Sequence, residues 1–351
     1  MTDNDNLVPT FPAEWEPQDA VILAWPHEQS DWWPIIDDIQ KTCLELIKHI
    51  TRFELVVLII PDADEFTFIQ TLLHENKINP EKVIPVLANY NDTWVRDTGP
   101  ISIKINDHIQ HLDFRFNGWG NKFEYQLDDR LCKQVLSHLH IKQQSIESLD
   151  IILEGGSIDV DGNGTLLTTQ QCLLNPNRNK DFNEGDYEKL FMSKMGIRKV
   201  HWLKYGGILG DDTDGHIDML ARFCSREVIA CSTCSDKNDP HHETLTRMKD
   251  ELEKLKTEQG NHYQIIELPI PTAIHTKQNE RLPASYSNFL IINNAILVPV
   301  YDDKNDKLAC ERLAECFPSR EIIPLNALNI IQQGGSLHCL TMQLPRGSIP
   351  Q

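Results

Sequence analysis

The chain has 351 residues, 40% hydrophobic and 24% charged, with 17 glycines and 19 prolines, a composition that fits a globular protein and argues against collagen, coiled coil and a disordered chain. Its 33 Lys and Arg against 52 Asp and Glu leave a formal charge of −19, a field that repels nucleic acid and anionic membrane and attracts a small cation. No apolar run is long enough to cross a bilayer, the acidic, proline-broken start is unlike a signal peptide, and nine cysteines without paired spacing read as reduced thiols of a cytoplasmic protein.

The first predicted elements are a strand at DAVILAW, a helix over residues 33–50 and a second strand at ELVVLII. A polar, glycine-punctuated stretch, WVRDTGPISI, then leads into an apolar run; HIQHLDFRF alternates as a strand, and residues 125–139 have helical period. LEGGSIDVDGNGTLLTT and DDTDGHIDMLARF follow, each again a polar patch running into a strand. After them come the strand REVIACS and a helix over residues 240–257, with Leu245, Met248, Leu252 and Leu255 on one stripe. PASYSNFLIINNAILVP, a helix over residues 303–316 and QQGGSLHCLTMQL complete the pattern. Strands and helices are mixed throughout with no low-complexity linker, so the class is α/β or α+β.

Five of these stretches are one kind of segment, a polar patch that opens a strand. One polar residue from each, Asp97, Glu154, His216, Asn288 and Cys339, gives separations of 57, 62, 72 and 51 residues. That spacing suits a unit of a few strands and a helix repeated around an axis, with all five patches facing one centre. The competing reading is that Gly and Asp merely mark turns there.

Taken alone, Cys339 is more often packing than chemistry, because a free cysteine behaves as a small hydrophobe. Together the patches supply a thiol, the imidazole of His216 with Asp218 two residues on, and the carboxylates of Asp97 and Glu154. Thiol, imidazole and carboxylate suffice for nucleophilic catalysis. The surplus acids would blunt a thiolate, and they make sense if the substrate is a cation that must leave water. Guanidinium fits best, being planar, with five N–H donors suited to carboxylates. Two acids would clamp it against the sulfur and His216 would protonate the leaving nitrogen. Ammonia would depart to leave a thiouronium, which water activated by His216 would hydrolyse.

With FNGWGNKF, CLLNPNRN and SYSNFLIINNAILVPVYDD in the same order, these motifs resemble the agmatine deiminase family, within the guanidino-group modifying superfamily that includes bacterial peptidylarginine deiminase. The likeness runs from FPAEWEPQDAVILAWP to the C-terminus. It implies a five-bladed, pseudo-fivefold α/β propeller of ββαβ units, the pentein fold, as a single catalytic domain over residues 1–351. It implies agmatine as substrate, giving N-carbamoylputrescine and ammonia, with no cofactor and no metal; a homo-oligomer stays open. Residue by residue, it implies Cys339 as nucleophile, His216 as proton shuttle, Asp97 and Asp218 as guanidinium ligands, and Glu154 as the group orienting His216. The thiol motif reads QGGSLHC where the family more usually has GGGxHC, a departure that bears on the local turn. Trp94, Asn117 and Trp119 are the further substrate-binding residues, and the acidic run Asp211, Asp212 and Asp214 suits the distal amine.

Alternatives stand beside this reading. Arg96 and Arg115 could meet the carboxylate of a C-terminal arginine in a peptidylarginine deiminase. His111 with Asp113, added to His216 with Asp218, could instead bind metal as in binuclear hydrolases, although no third cluster supplies the remaining ligands. A non-enzymatic cation binder is the third possibility. Gly155 and Gly334 are assigned as backbone devices, Trp94 serves either the core or a cation–π contact, and His338 is expected on the strand face opposite Cys339, a poor place for a base.

Overall fold

The computed structural model describes residues 8–106 and 108–350. Its strands are β1 (Gln18–Ala24), β2 (Leu55–Ile60), β3 (Val83–Leu87), β4 (Ile101–Ile105), β5 (His108–Arg115), β6 (Ile146–Ile152), β7 (Ile158–Val160) and β8 (Thr165–Thr169). They continue as β9 (Lys199–Leu203), β10 (Ala221–Phe223), β11 (Val228–Thr233), β12 (Gln264–Pro269), β13 (Leu290–Ile292), β14 (Ala295–Val300), β15 (Glu321–Asn326) and β16 (Met342–Pro345). They form five small mixed sheets: β4-β5-β6, β7-β8-β9, β10-β11-β12, β13-β14-β15 and β16-β1-β2-β3.

One plan recurs in all five. The first strand pairs antiparallel with the second, and the second pairs parallel with the third. A parallel partner needs a crossover, and helices Leu131–His138, Glu184–Met195, His241–Leu252, Asp306–Cys316 and Ile36–Ile50 lie within those connections. In the fifth sheet, β16 from the end of the chain pairs with β1 near its start, Ile22 opposite Met342, so distant parts of the chain complete one unit. The five polar patches lie immediately before or at the start of β4, β7, β10, β13 and β16, the first strand of each sheet, as the spacing argument required.

Middle strands are buried on both faces, which is why they read as unbroken aliphatic runs rather than alternating ones: Ala20 to Ala24 and Ala295 to Val298 are at most 2% exposed. The run NFLIINNAILVPV is two strands, β13 and β14, reversed at Asn293 and Asn294, with Asn294 at φ 62°.

Two helices escaped the periodicity argument, Ala63–Glu75 and Glu184–Met195. Both carry readable caps. Asp62 accepts from the Glu65 amide, and Asn183 and Asp186 form a capping box, closed at the other end by Gly196 at φ 70°. The helix predicted over 240–257 stops at Leu252, leaving Leu255 beyond it, because the chain turns into a bridge between Lys256 and His262. No helix among the described residues is long and apolar enough to cross a membrane.

Candidate active site

A cavity of about 520 Å³ is lined from the segments before β4, β10, β13 and β16, by Asp97, His216, Pro283 and Cys339, and Gly156 of the segment before β7 packs against His216, Asp97 and Asp218 at its floor. Cys339 lies in the turn before β16, 8% exposed. Asn288, before β13, donates from Nδ2 to the Cys339 sulfur at 3.2 Å, and its Oδ1 accepts from the Cys339 amide at 3.3 Å. Asp218, in the short helical turn before β10, brings Oδ2 to 3.5 Å from the sulfur, while its Oδ1 is buried without a partner. Asp97 Oδ1 accepts from the Gly156 amide at 2.8 Å and stands 3.8 Å from His216 Nδ1. Gly156 is the point on which these groups close. A Cβ there would sit 2.6 Å from His216 Nδ1, 2.9 Å from Asp97 Oδ1 and 3.2 Å from Asp218 Oδ2.

Two tryptophans wall the cavity. Trp119 donates from Nε1 to Asp97 Oδ2 at 2.9 Å. It is aimed by a tight loop in which Trp119 and Gly120 adopt φ 53° and 93°, held by Asn117, whose Oδ1 accepts from the Gly120 amide. Trp94 packs so close to Gly335 that a Cβ there would lie 2.4 Å from its ring. Gly334 has φ 92°, and a Cβ on Gly155 would meet the Arg96 carbonyl at 2.2 Å, so both glycines serve as the backbone devices expected of them.

Beneath His216 lies a buried layer. A carboxylate oxygen of Glu154, the sulfur of Cys172 and a ring nitrogen of His216 lie within 4.8 Å of one another. Glu154 Oε2 and His216 Nε2 are both buried with no hydrogen-bond partner. Glu154 Oε1 accepts from Arg178 Nε at 2.9 Å, so the carboxylate expected to orient His216 stands near it and is ion-paired behind.

Charge at the floor follows from burial. Burial pushes the Cys339 thiol well up, and Asp218 and Asp97 push it further. Asp97 is raised to about 6, chiefly by burial, against the pull of His216. Burial works against a charged His216, yet Asp97, Cys172 and Glu154 outweigh it and hold the ring well above the usual histidine range. Asp218 is held below the carboxylate range: burial raises it, and the hydrogen bond and charge of His338, then His216 and Arg222, overcome that. Both directions favour a thiol at Cys339 and a protonated His216 before substrate enters.

The cavity wall is acidic. Among the described residues, Asp31, Asp92, Asp97, Asp211, Asp212 and Glu280 line it, against a single arginine, Arg281, which donates to Asp239 at 2.8 Å. Burial raises Asp92 to about 7 and also raises Asp211 and Asp212. An entering cation would return those carboxyls to the charged form.

Not every predicted residue reaches this cavity. Asn117 is spent on its loop, Nδ2 donating to the Asn177 carbonyl at 2.8 Å, and it does not line the wall. Asp214 is taken up by Lys122 at 2.8 Å and by Arg178, leaving Asp211 and Asp212 as the members of that run that face the cavity. Arg96 turns to Glu14 at 3.0 Å, and Arg115 lies on the surface with Asp129 and Asp150, so neither is placed to meet a substrate carboxylate. His111 bonds Ser102 within the β4-β5 hairpin and Asp113 pairs with Lys133, and among the described residues the possible metal-ligand group that contains His216 includes neither of them. His338 is the correction that matters most: β16 starts only at Met342, so His338 and Cys339 share a turn and strand alternation does not separate them. Its Nδ1 lies 2.8 Å from Asp218 Oδ2.

Residues 10–345 match the model of the Porphyromonas-type peptidyl-arginine deiminase family. The chain belongs to that family. Among solved members and relatives, an agmatine deiminase from C. jejuni, a Cys-to-Ser variant with substrate bound, is 38% identical, covers 97% of each chain and superposes with a TM-score of 0.89. An Enterococcus faecalis agmatine deiminase is 28% identical over 97% of this chain and 96% of its own, with a TM-score of 0.85. A Porphyromonas gingivalis structure described as an arginine deiminase is 37% identical over 97% and 99%, TM-score 0.89. Arg178, Cys172 and Asn288 are among the site groups to which sequence reading gave no role, as are Asp31, Asp92, Glu280 and Arg281 of the wall. CLLNPNRN and SYSNF marked the segments that carry the first three, but nothing local said that Arg178 would lie under Glu154.

Proposed function

We propose that this protein is an agmatine deiminase. The observation that carries the reading is a buried thiol at the floor of a cavity lined by six carboxylates and one arginine already paired to Asp239, a place that suits a dication and repels a substrate carboxylate. Agmatine carries a guanidinium and a distal ammonium. Asp97 and Asp218 take the guanidinium, Trp94 and Trp119 flank it, and Asp212 with Asp211 takes the ammonium.

Binding the cation lowers the cost of a thiolate at Cys339, whose proton leaves to the water of the cavity as the substrate enters. Asn288, 3.2 Å away, steadies the sulfur as it turns on the central guanidinium carbon. The C–S bond forms, His216 gives its proton to one terminal nitrogen, and the C–N bond breaks to release ammonia. The thiouronium left on Cys339 retains the substituted nitrogen and one terminal nitrogen. His216, now neutral and oriented by Glu154, takes a proton from water. The resulting hydroxide adds to the same carbon, and the C–S bond breaks to give N-carbamoylputrescine and free Cys339.

The five sheets are read as the blades of a five-bladed propeller of ββαβ units in one catalytic domain, because the same strand plan repeats five times and the patches opening the first strands line one cavity or pack against its floor. The reaction needs no metal in this scheme.

The test is ammonia release from agmatine, free arginine and an arginine-containing peptide at equal concentration. Agmatine is expected to be turned over with the highest kcat/KM. Preference for the peptide would move the chain to peptidyl-arginine chemistry on the same thiol.

A further inference from the structure

Behind the floor lies a buried chain of contacts that the reaction scheme does not use. His338 Nδ1 is 2.8 Å from Asp218 Oδ2, and its Nε2 is 2.8 Å from Glu14 Oε1. Glu14 belongs to the segment before β1, 324 residues away in sequence from His338. Arg96 Nη1 donates to it at 3.0 Å, Gln343 Nε2 donates at 3.0 Å, and Arg222 forms a further ion pair with it. Arg96 also donates from Nε to the His338 carbonyl, and its Arg96 amide donates to the Cys339 carbonyl at 3.3 Å. The turn bearing the thiol is thus pinned by backbone and side chain to the group that accepts from His338.

We propose that Glu14 and His338 form a relay that fixes Asp218: His338, carrying a proton on each ring nitrogen between the two carboxylates, donates from Nε2 to Glu14 and from Nδ1 to one Asp218 oxygen, so that the other faces the guanidinium. His338 is a positioning residue in this account, and the inference rests on the agmatine deiminase reading for its substrate. The geometry fits the division of labour. Asp218 Oδ2 is used by His338 and the sulfur, and Oδ1 is buried and unpartnered, the state expected of an oxygen reserved for a cation. A carboxylate free to rotate would present either oxygen, and a misplacement of 1 Å costs a reaction about 100-fold.

Asp218 is faced by His216 from its own segment, His338 and Cys339 from the turn before β16, Arg222 from β10, and Arg96 and Asp97 from the segment before β4. Of these, the hydrogen bond from His338 gives the largest downward pull on its pKa; burial, Arg222 and Arg96 work against a charge on His338 itself, and Glu14 and Asp218, each 2.8 Å from a ring nitrogen, work for it. Removing that donor raises the Asp218 pKa, but Asp97, raised to about 6, already sets the acid limb of kcat/KM, so the decision rests on which of the two His338 contacts a substitution keeps.

The amide of asparagine can take the place of Nδ1, and that of glutamine the place of Nε2. Full-length His338→Asn and His338→Gln therefore separate the two contacts. His338→Asn is expected to stay within about 10-fold of wild type in kcat/KM for agmatine. His338→Gln, which reaches Glu14 but not Asp218, is expected to lose about 100-fold. Equal losses in the two variants at equal melting temperature would mean that His338 only packs and would overturn the relay. If His338→Gln does not fold, Glu14→Gln, which keeps an acceptor for Nε2 and removes its charge, carries the decision: a loss of kcat/KM at unchanged melting temperature supports the relay, and wild-type kcat/KM ends it. Wild-type protein inactive on agmatine would instead count against the substrate reading, so the two failures are distinguishable.

Discussion

Gly156→Ala is the sharpest probe of the convergence at the floor. The new methyl would lie 2.6 Å from His216 Nδ1, 2.9 Å from Asp97 Oδ1 and 3.2 Å from Asp218 Oδ2, where ordinary contact begins at 3.4 Å. The first two are too close by about 0.8 and 0.5 Å. All three neighbours are nearly or fully buried, so relief must come from shifts at the reacting groups or from the Gly156 backbone, whose amide holds Asp97. Overpacking of this kind costs about 1–3 kcal/mol of stability, and a displacement approaching 1 Å costs about 100-fold in rate. Steady-state ammonia release beside a thermal melt reads both. The expected outcome is a folded protein with kcat/KM reduced by about 100-fold. Activity within threefold of wild type at an unchanged melting temperature would mean that His216, Asp97 and Asp218 do not act from these positions.

Asp97 is raised to about 6 by burial, and its charged form is the one that binds guanidinium, so kcat/KM should fall as pH drops through about 6; an acid limb near 4 would exclude Asp97 from that role. Stability has opposed contributions. Glu54, Asp92, Asp128 and Asp159 are raised to about 7 by burial, so the folded protein keeps protons that the unfolded chain has lost above about pH 4, whereas His111 and His201, lowered to about 4 by burial, favour the fold more as pH rises to about 6.5. Above about pH 6.5 only the acids among these act, and stability should decline with rising pH; a melting temperature that climbs from pH 7 to pH 8 would contradict this. Arg178→Ala strips the cation from Glu154, whose side chain is fully buried, and from Asp214; leaving a buried charge uncompensated should destabilise by about 3–5 kcal/mol in chemical denaturation, and a loss below about 1 kcal/mol would show the ion pair to be dispensable.

How much of this was legible in the chain depends on the range of the interaction. The five first strands could be found because a polar patch with glycine is a local signal, and WVRD, EGG, DGHID, SYSN and SLHC each occupy one. The helices at Ala63–Glu75 and Glu184–Met195 have weaker stripes, and only their caps at Asp62 and Asn183 announced them. Long-range pairing was invisible. Glu14 reaches His338 across 324 residues, and Lys122 removes Asp214 from the cavity across 92. No spacing rule anticipates either. His338 was misplaced for a different reason: the alternation argument assumed a strand three residues before it begins, and in the actual turn both His338 and Cys339 point toward Asp218. Asn117 failed in the same way, since a loop motif can be built to aim its neighbour, here Trp119, rather than to touch a ligand.

The central claim is that Cys339 carries the guanidine carbon covalently. Protein mixed with agmatine and quenched in acid within the first turnover, then digested and weighed by mass spectrometry, tests it directly, with Cys339→Ser as the blank. The account predicts an adduct equal to agmatine less ammonia on the peptide containing Cys339, absent from the blank, with no turnover by the Cys339→Ser protein. Turnover surviving in that variant, or an adduct on any other residue, would contradict it.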